Sequence, residues 1–170
     1  MKLPCLPLGS ATTAVPCFLL FLFFLIPSSS HAFTVQKWLG QTVYVPVYSH
    51  IYADSRYRDK PFQLTAIVSI RNTDLKKPLT IEKVDYYDSN GKLLSNYLEK
   101  AITIAPLAST RYIVPESHTL GGSGAKFIVT WSSKEGITEP IIEGIMIGTK
   151  MQQGISFVTD SQVLSGKKAP

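Results

Sequence analysis

The chain has 170 residues, the length of one domain, and carries 17 Lys and Arg residues against 12 Asp and Glu residues. The formal charge of +5 is dispersed along the chain rather than concentrated on one helix or face. This dispersion argues against a nucleic-acid-binding protein; it favours a role in solubility, with weak attraction to anionic surfaces as a lesser option.

The first 32 residues have the pattern of a cleaved export signal. Lys2 precedes the uninterrupted apolar segment CFLLFLFFLI (Cys17–Ile26), and a polar stretch then ends in the small residue Ala32, directly before Phe33. This pattern predicts an exported protein, periplasmic or extracellular. The apolar segment is shorter than the roughly 20 residues that cross a membrane, so we expect no stable membrane span after cleavage. Membrane attachment through an uncleaved signal is the alternative.

Both cysteines, Cys5 and Cys17, lie within this predicted signal peptide. The mature chain would then have no disulfide, no thiol nucleophile and no cysteine metal ligand, so that its hydrophobic core alone must stabilise it. We expect a lead-in at residues 33–40, a single domain at 41–160 and a flexible C-terminal tail at 161–170.

From Thr42 onward, short runs of alternating apolar and polar residues are separated by turn residues. The first run, TVYVPVYSHIY, contains Pro46, which predicts an edge strand or a bulge. The next run, FQLTAIVSIRN, predicts a half-buried strand with Ile67 as the one exception to its alternation. Later runs are LTIEKVDYYD with the turn DSNG, then KLLSNYL, AITIAP, TRYIVP, KFIVTW, PIIEGIMIGT and GISFVTD.

Nine such strands without an amphipathic helix predict an all-β fold, an antiparallel two-layer sandwich. An immunoglobulin-like sandwich is the first expectation and a small closed barrel the second. Trp131 is the candidate for the core aromatic residue.

Several blocks of the chain resemble one bacterial protein family. They are, in order, GQTVYVPVYSHIY, SIRNTD, VDYYDSNGKLL, PLAST, GGSGAKFIVTW, MIGT and QQGISFV. Together they span Gly40 to about Thr159 and are similar to the family called domain of unknown function 3124. The resemblance implies a small exported or envelope-associated protein with no established activity, and it implies no catalytic or binding residue.

The segment TLGGSGAKFIVTW is the nearest approach to a site motif, through Gly121, Gly122, Ser123 and Gly124. Phosphate-binding glycine loops lead into a helix, whose free N–H groups face the anion. Here the loop leads into a predicted strand, so we expect a turn or bulge, with the rim of a ligand site as the alternative.

Two histidines, His50 and His118, remain after the predicted cleavage, and with Asp54 and Glu116 they are the candidates for a hydrolase or metal site. Glu116 and His118 belong to the run PESHT, whose neighbouring side chains point apart in an extended segment. Because a zinc site takes three or four strong ligands, we expect no metal, no cofactor and no catalytic residue.

Tyr44, Tyr48 and Tyr52 share one face of the first predicted strand with His50. Exposed tyrosines in a row can stack on sugar rings or anchor a protein partner, although burial of this face is the alternative. The prediction is therefore a non-catalytic binding module of the envelope whose partner is a protein or a glycan, and a small hydrolase or metal-dependent enzyme is the alternative. The oligomeric state is left open.

Overall fold

A computed structural model of the protein describes residues 35–52, 60–150 and 152–170. The predicted signal peptide, its cleavage site and Asp54 lie outside these residues. The strands are β1 (Lys37–Pro46), β2 (His50–Ile51), β3 (Phe62–Gln63), β4 (Thr65–Arg71), β5 (Leu79–Tyr87), β6 (Leu93–Asn96), β7 (Ile102–Ile104), β8 (Ser109–Val114), β9 (Lys126–Thr138), β10 (Ile141–Lys150), β11 (Gln153–Asp160) and β12 (Gln162–Lys168).

Two antiparallel sheets form the layers of the fold. The six-stranded sheet has the order β12-β1-β9-β5-β6, with β7 also paired to β5, and the four-stranded sheet has the order β11-β10-β4-β8. Strands β2 and β3 form a short separate pair. The expected all-β antiparallel sandwich is confirmed. The sheets do not close into a barrel in the described part of the chain, so the second expectation is wrong; the immunoglobulin-like arrangement stays a prediction.

The core lies between the two sheets and follows the strand alternation. In β1, Val43 and Val45 are buried while their neighbours are partly exposed. Side chains from both sheets meet there because each pleated sheet has one apolar face to remove from water. Trp131 in β9 is 1% exposed and is the largest fully buried side chain, which confirms it as the core aromatic residue.

Strand β1 is expected to be an edge strand or to carry a bulge; it is an interior strand, so the first alternative is wrong, whereas its register does shift between Trp38 and Gly40 and between Thr42 and Val43. It pairs with β9 on one side and with β12 on the other. Pro46 is the last residue of β1, where its missing N–H interrupts no further pairing. Its carbonyl instead accepts a hydrogen bond of 2.6 Å from the Thr159 hydroxyl, which links the end of β1 to the other sheet.

The C-terminal residues also differ from the expected flexible tail. Residues 162–168 form β12 and pair with β1 from Trp38 opposite Lys168 to Tyr44 opposite Gln162. Likewise β1 begins at Lys37, within the expected lead-in. Every residue of β12 is exposed. The strand therefore contributes backbone pairing to the sheet and no buried side chain to the core, and its sequence shows no core-facing alternation.

Asn72, in the connection after β4, is a buried polar residue that joins three segments. Its side-chain amide donates to the carbonyls of Lys77 (2.9 Å), Ile104 (3.3 Å) and Ala105 (3.1 Å). Its side-chain oxygen accepts the N–H of Asp74 at 3.0 Å. Because both ends of the amide are used, Asn72 fixes the connection from β4 to β5 against the end of β7.

Asp74 follows in the same connection and is 7% exposed. Its carboxylate accepts the N–H groups of Lys76 (3.0 Å), Lys77 (3.1 Å) and Thr138 (3.1 Å). The Lys37 ammonium lies 3.3 Å from the same carboxylate. Burial alone would raise the pKa of Asp74, but these hydrogen bonds outweigh burial and hold the pKa well below its ordinary value.

No helix within the described ranges is long and apolar enough to cross a membrane.

Candidate functional site

The glycine-rich loop is fixed to the chain that follows β1. The Ser49 hydroxyl lies 3.3 Å from the carbonyl oxygen of Thr119 and 3.1 Å from that of Gly122. The backbone N–H of Ser49 also donates to Gly122 at 3.1 Å. Residues 119–121 form a single 3-10 turn, and β9 begins at Lys126. The loop therefore leads into a strand, as predicted, and lacks the helix that makes glycine loops bind phosphate.

A second serine holds the other side of this loop. The Ser89 hydroxyl, in the turn after β5, donates to the Gly121 carbonyl at 3.0 Å and accepts the Gly124 N–H at 2.9 Å. Gly122 has a φ of 77°, and a Cβ there would collide with the Ser89 hydroxyl. The loop glycines thus serve close packing and a left-handed backbone, while Ser123 is exposed. A ligand role for the loop stays a prediction.

Ser49, His50 and Tyr52 form a hydrogen-bonded chain that sequence analysis did not detect. His50 Nδ1 lies 3.1 Å from the Ser49 hydroxyl, and His50 Nε2 lies 3.1 Å from the Tyr52 hydroxyl. Spacing could not reveal it because immediate neighbours in regular strands point apart, and here the chain has left β1 before β2 begins.

Ser49 is poorly placed to act as a nucleophile. It is 1% exposed, and its hydroxyl lies 3.3 and 3.1 Å from two backbone carbonyls of the glycine loop. These carbonyls compete with His50 Nδ1 for the single hydroxyl hydrogen of Ser49, and the donor and acceptor roles of His50 depend on its tautomer. A nucleophilic serine must give its proton to histidine and meet the substrate, and the burial of Ser49 opposes the second requirement.

His118 lies against the core rather than in a polar cluster. Its ring packs on Tyr86 with centroids 5.8 Å apart. Burial, and to a lesser extent the nearby Tyr97, raises the pKa of Tyr86 to about 12, so that its hydroxyl stays neutral. Glu116 is exposed between β8 and the loop. The described residues contain no group of three His, Cys, Asp or Glu side chains placed to hold a metal ion, and Asp54 lies outside them.

The three tyrosines do not form one row on one strand. Tyr44 is half-buried on β1, whereas Tyr48 follows the end of that strand and packs edge-on against Phe157 of β11 at 5.8 Å. Tyr52 is 45% exposed and bonded to His50. The alternation of burial continues past Pro46, since Val47 and Ser49 are buried while Tyr48 and His50 are partly exposed. The three tyrosines lie in different segments, and their use as one binding face stays a prediction.

The outer face of the four-stranded sheet carries a line of branched aliphatic side chains, which are exposed on its two edge strands and partly buried on its two central strands. Val158 (β11), Ile145 (β10), Ile67 (β4) and Ile113 (β8) are opposite one another in register, and we call these four residues the apolar row. Val158 is 55% exposed and Ile113 is 46% exposed. They point outward because their neighbours Ala66, Val68 and Met146 fill the core.

A parallel line of polar residues borders the apolar row. Asp160, Glu143, Ser69 and Arg111 are opposite one another across the same four strands, and we call them the polar row. Glu143 also forms an ion pair of 2.7 Å with Arg71. A depression of about 250 Å³ lies between the two rows. Opposite charges therefore occupy the two ends of the polar row, acidic on β11 and basic on β8.

Comparison with protein families identifies the chain. A model of the family described as protein of unknown function DUF3124 matches residues 40–164. The chain belongs to the DUF3124 family. The matched residues include both rows of the outer face and the glycine loop, which extends the sequence resemblance to nearly the whole sandwich. No curated protein and no solved structure matches the chain.

One signal for the outer face was present in this DUF3124 sequence. Ile67 breaks the alternation of its strand, and the run PIIEGIMIGT has apolar residues at both odd and even positions. A strand with one solvated face normally alternates apolar and polar residues. Apolar residues at both odd and even positions indicate either a covered outer face or an exposed apolar one, and the exposure of Val158, Ile113 and Ile147 favours the second in the described chain.

Proposed function

We propose that the protein is an exported, non-catalytic interaction module of the bacterial envelope that binds another protein through the outer face of its four-stranded sheet. The exposure of the apolar row carries the proposal. Aliphatic side chains that lie together in water mark a contact surface more often than single exposed ones do. Ile147, 43% exposed, extends this patch along β10.

The chemistry of the face favours a protein over a glycan. Sugar rings stack on flat aromatic side chains, and the two rows consist of branched aliphatic, charged and serine side chains. Branched aliphatic residues pack well against the aliphatic and aromatic residues of a protein partner. The polar row then supplies the rim that protein interfaces commonly have.

Export is supported by the sequence of residues 1–32 and by the position of both cysteines within them. A non-catalytic role is supported by the burial of Ser49 and by the two backbone carbonyls that compete with His50 for its hydroxyl hydrogen. The alternative is a hydrolase or metal-dependent enzyme that uses His50 and His118 with Asp54 and Glu116; no observation on the described residues favours it, and Asp54 lies outside them.

The proposal is tested by photo-crosslinking inside cells. A photoreactive amino acid at position 113 is expected to give adducts with one defined protein, and Val158→Lys is expected to abolish them because a charge in the apolar row must be desolvated on binding. The same probe at Leu75 is the matched control, since Leu75 is 72% exposed and lies in a connecting segment away from both rows. Identical adducts at both positions, or none at position 113, would refute the proposal.

A further inference from the structure

We infer that the protein bound by this face is a second copy of the chain, related by a two-fold axis parallel to the strands. The inference rests on the proposed function, because it names the partner of the same surface. It comes from the order of side chains within the two rows. A two-fold interface brings one patch against itself, so the patch must be complementary to its own rotated image.

The apolar row meets this requirement. An axis that runs along the strands between β10 and β4 exchanges β11 with β8 and β10 with β4. Val158 then faces Ile113 of the second copy, and Ile145 faces its Ile67. Every contact along the row joins two branched aliphatic side chains, and the two outermost residues are the most exposed ones, at 55% and 46%.

The polar row meets the requirement through its charges. The same rotation leaves each row at the same position along the strands and reverses the order of its residues across the sheet. Asp160 then faces Arg111 of the second copy, and Arg111 faces the second copy's Asp160. Glu143 faces the position of Ser69, which is buried and accepts a hydrogen bond from Arg71, and Glu143 keeps its ion pair with Arg71 inside its own chain. No like charges oppose each other along the two rows, and opposite charges are the arrangement that fixes register.

The charge pattern also favours this axis over one that runs along the apolar row, perpendicular to the strands. A rotation about that second axis would bring each strand against the same strand of the second copy. It would place Glu143 against Ile147 of the second copy and Asp160 against its Ser156, without a basic partner. Because an unpaired charge at a contact costs free energy, the axis parallel to the strands fits the two rows better.

The size of the face predicts a weak dimer. Four strands at a spacing of about 4.8 Å give a face roughly 19 Å wide. A standard interface buries about 800 Å² on each partner. A face this narrow should bury no more than that area and places the dimer among the smaller interfaces. Monomer and dimer should therefore exchange with concentration, in contrast to an obligate dimer.

Sedimentation of the purified protein over a wide range of concentrations tests the inference. The protein is expected to shift from monomer to dimer, and Ile113→Lys should weaken the dimer by about tenfold or more, because it places a charge against Val158. Arg111→Asp and Asp160→Arg should each weaken it as well. The two charge reversals together should restore it, because each then meets its new opposite. Leu75→Lys is the matched control and should leave the dimer unchanged.

A protein that stays monomeric at all concentrations, or a dimer that Ile113→Lys does not weaken, would overturn the inference. A double charge reversal that fails to restore the dimer, while both single variants are folded, would overturn it too. Adducts at position 113 with a different protein, combined with a monomer in sedimentation, would overturn the dimer and keep the proposed function. The absence of any adduct at position 113 would contradict both.

Discussion

At the scale of single residues, the run SIRNTD shows how a sequence block can be structural rather than functional. Asn72 satisfies both ends of its amide with backbone groups, and Asp74 collects three backbone N–H groups and the ammonium of Lys37. Short polar residues after a strand predict a local turn. Their long-range partners, such as Thr138, lie 64 positions away, and local pattern cannot indicate them.

Asp74→Asn should destabilise the fold in a pH-dependent way. The native pKa of Asp74 is lowered, so its contribution is full above the unfolded value of 3.8 and is lost as the pH falls below it. The amide cannot accept bonds at both former oxygen positions, and we expect a loss of about 1.5–3 kcal/mol in the free energy of unfolding at neutral pH.

Chemical denaturation between pH 7 and pH 2 measures this loss for the protein and for Asp74→Asn. The difference between the two should shrink in the acid range. Glu116→Gln, at an exposed carboxylate, is the control and should show no such difference. Equal stabilities at neutral pH would contradict the role of Asp74.

At the scale of secondary-structure elements, the pairing with β12 makes β1 an interior strand of its sheet. Without residues 162–168, β1 would present a row of unpaired backbone groups to solvent, and such edges are templates for aggregation. Pro46 led us to expect an edge strand or a bulge at β1. The pairing with β12 depends on backbone groups that every residue carries, so QVLSGKK gives no distinctive signal.

Deletion of residues 162–170 should lower the free energy of unfolding by several kcal/mol, since each lost ladder hydrogen bond contributes about 0.5–1.5 kcal/mol. It should also promote aggregation through the exposed β1. Thermal unfolding and light scattering measure both effects. Leu164→Ser, at a position 55% exposed, keeps the backbone and should leave stability unchanged. Equal losses in both variants would mean that side chains, not the ladder, stabilise this edge.

At the scale of the whole molecule, two sheets enclose a core that needs no covalent link. The buried side chains that fill it come from strands far apart in the chain, with Val45, Ile70, Trp131 and Met146 among them. Neither cysteine lies in residues 33–170. An exported protein without disulfides must be stabilised by the packing of its core alone.

Under the proposed export, the mature protein is expected to begin at Phe33 and to contain no thiol. Mass spectrometry of the intact protein from the periplasm or the medium measures the first property, and a thiol reagent under denaturing conditions measures the second. Its thermal midpoint should not change with a reducing agent. The full-length mass, found only in the cytosol, would contradict export; the precursor with Cys5 and Cys17 serves as the positive control for the thiol reagent.

The sequence alone determined the fold class, the burial of Trp131 and the turn character of the glycine loop. These properties depend on alternation and on local backbone preferences, which neighbouring residues carry. Only the tertiary structure decided that β1 is interior, that Tyr48 packs against Phe157, and that Ser49, His50 and Tyr52 are linked. It alone aligned Val158, Ile145, Ile67 and Ile113 across four strands, because register and sheet order join residues that are distant in the chain.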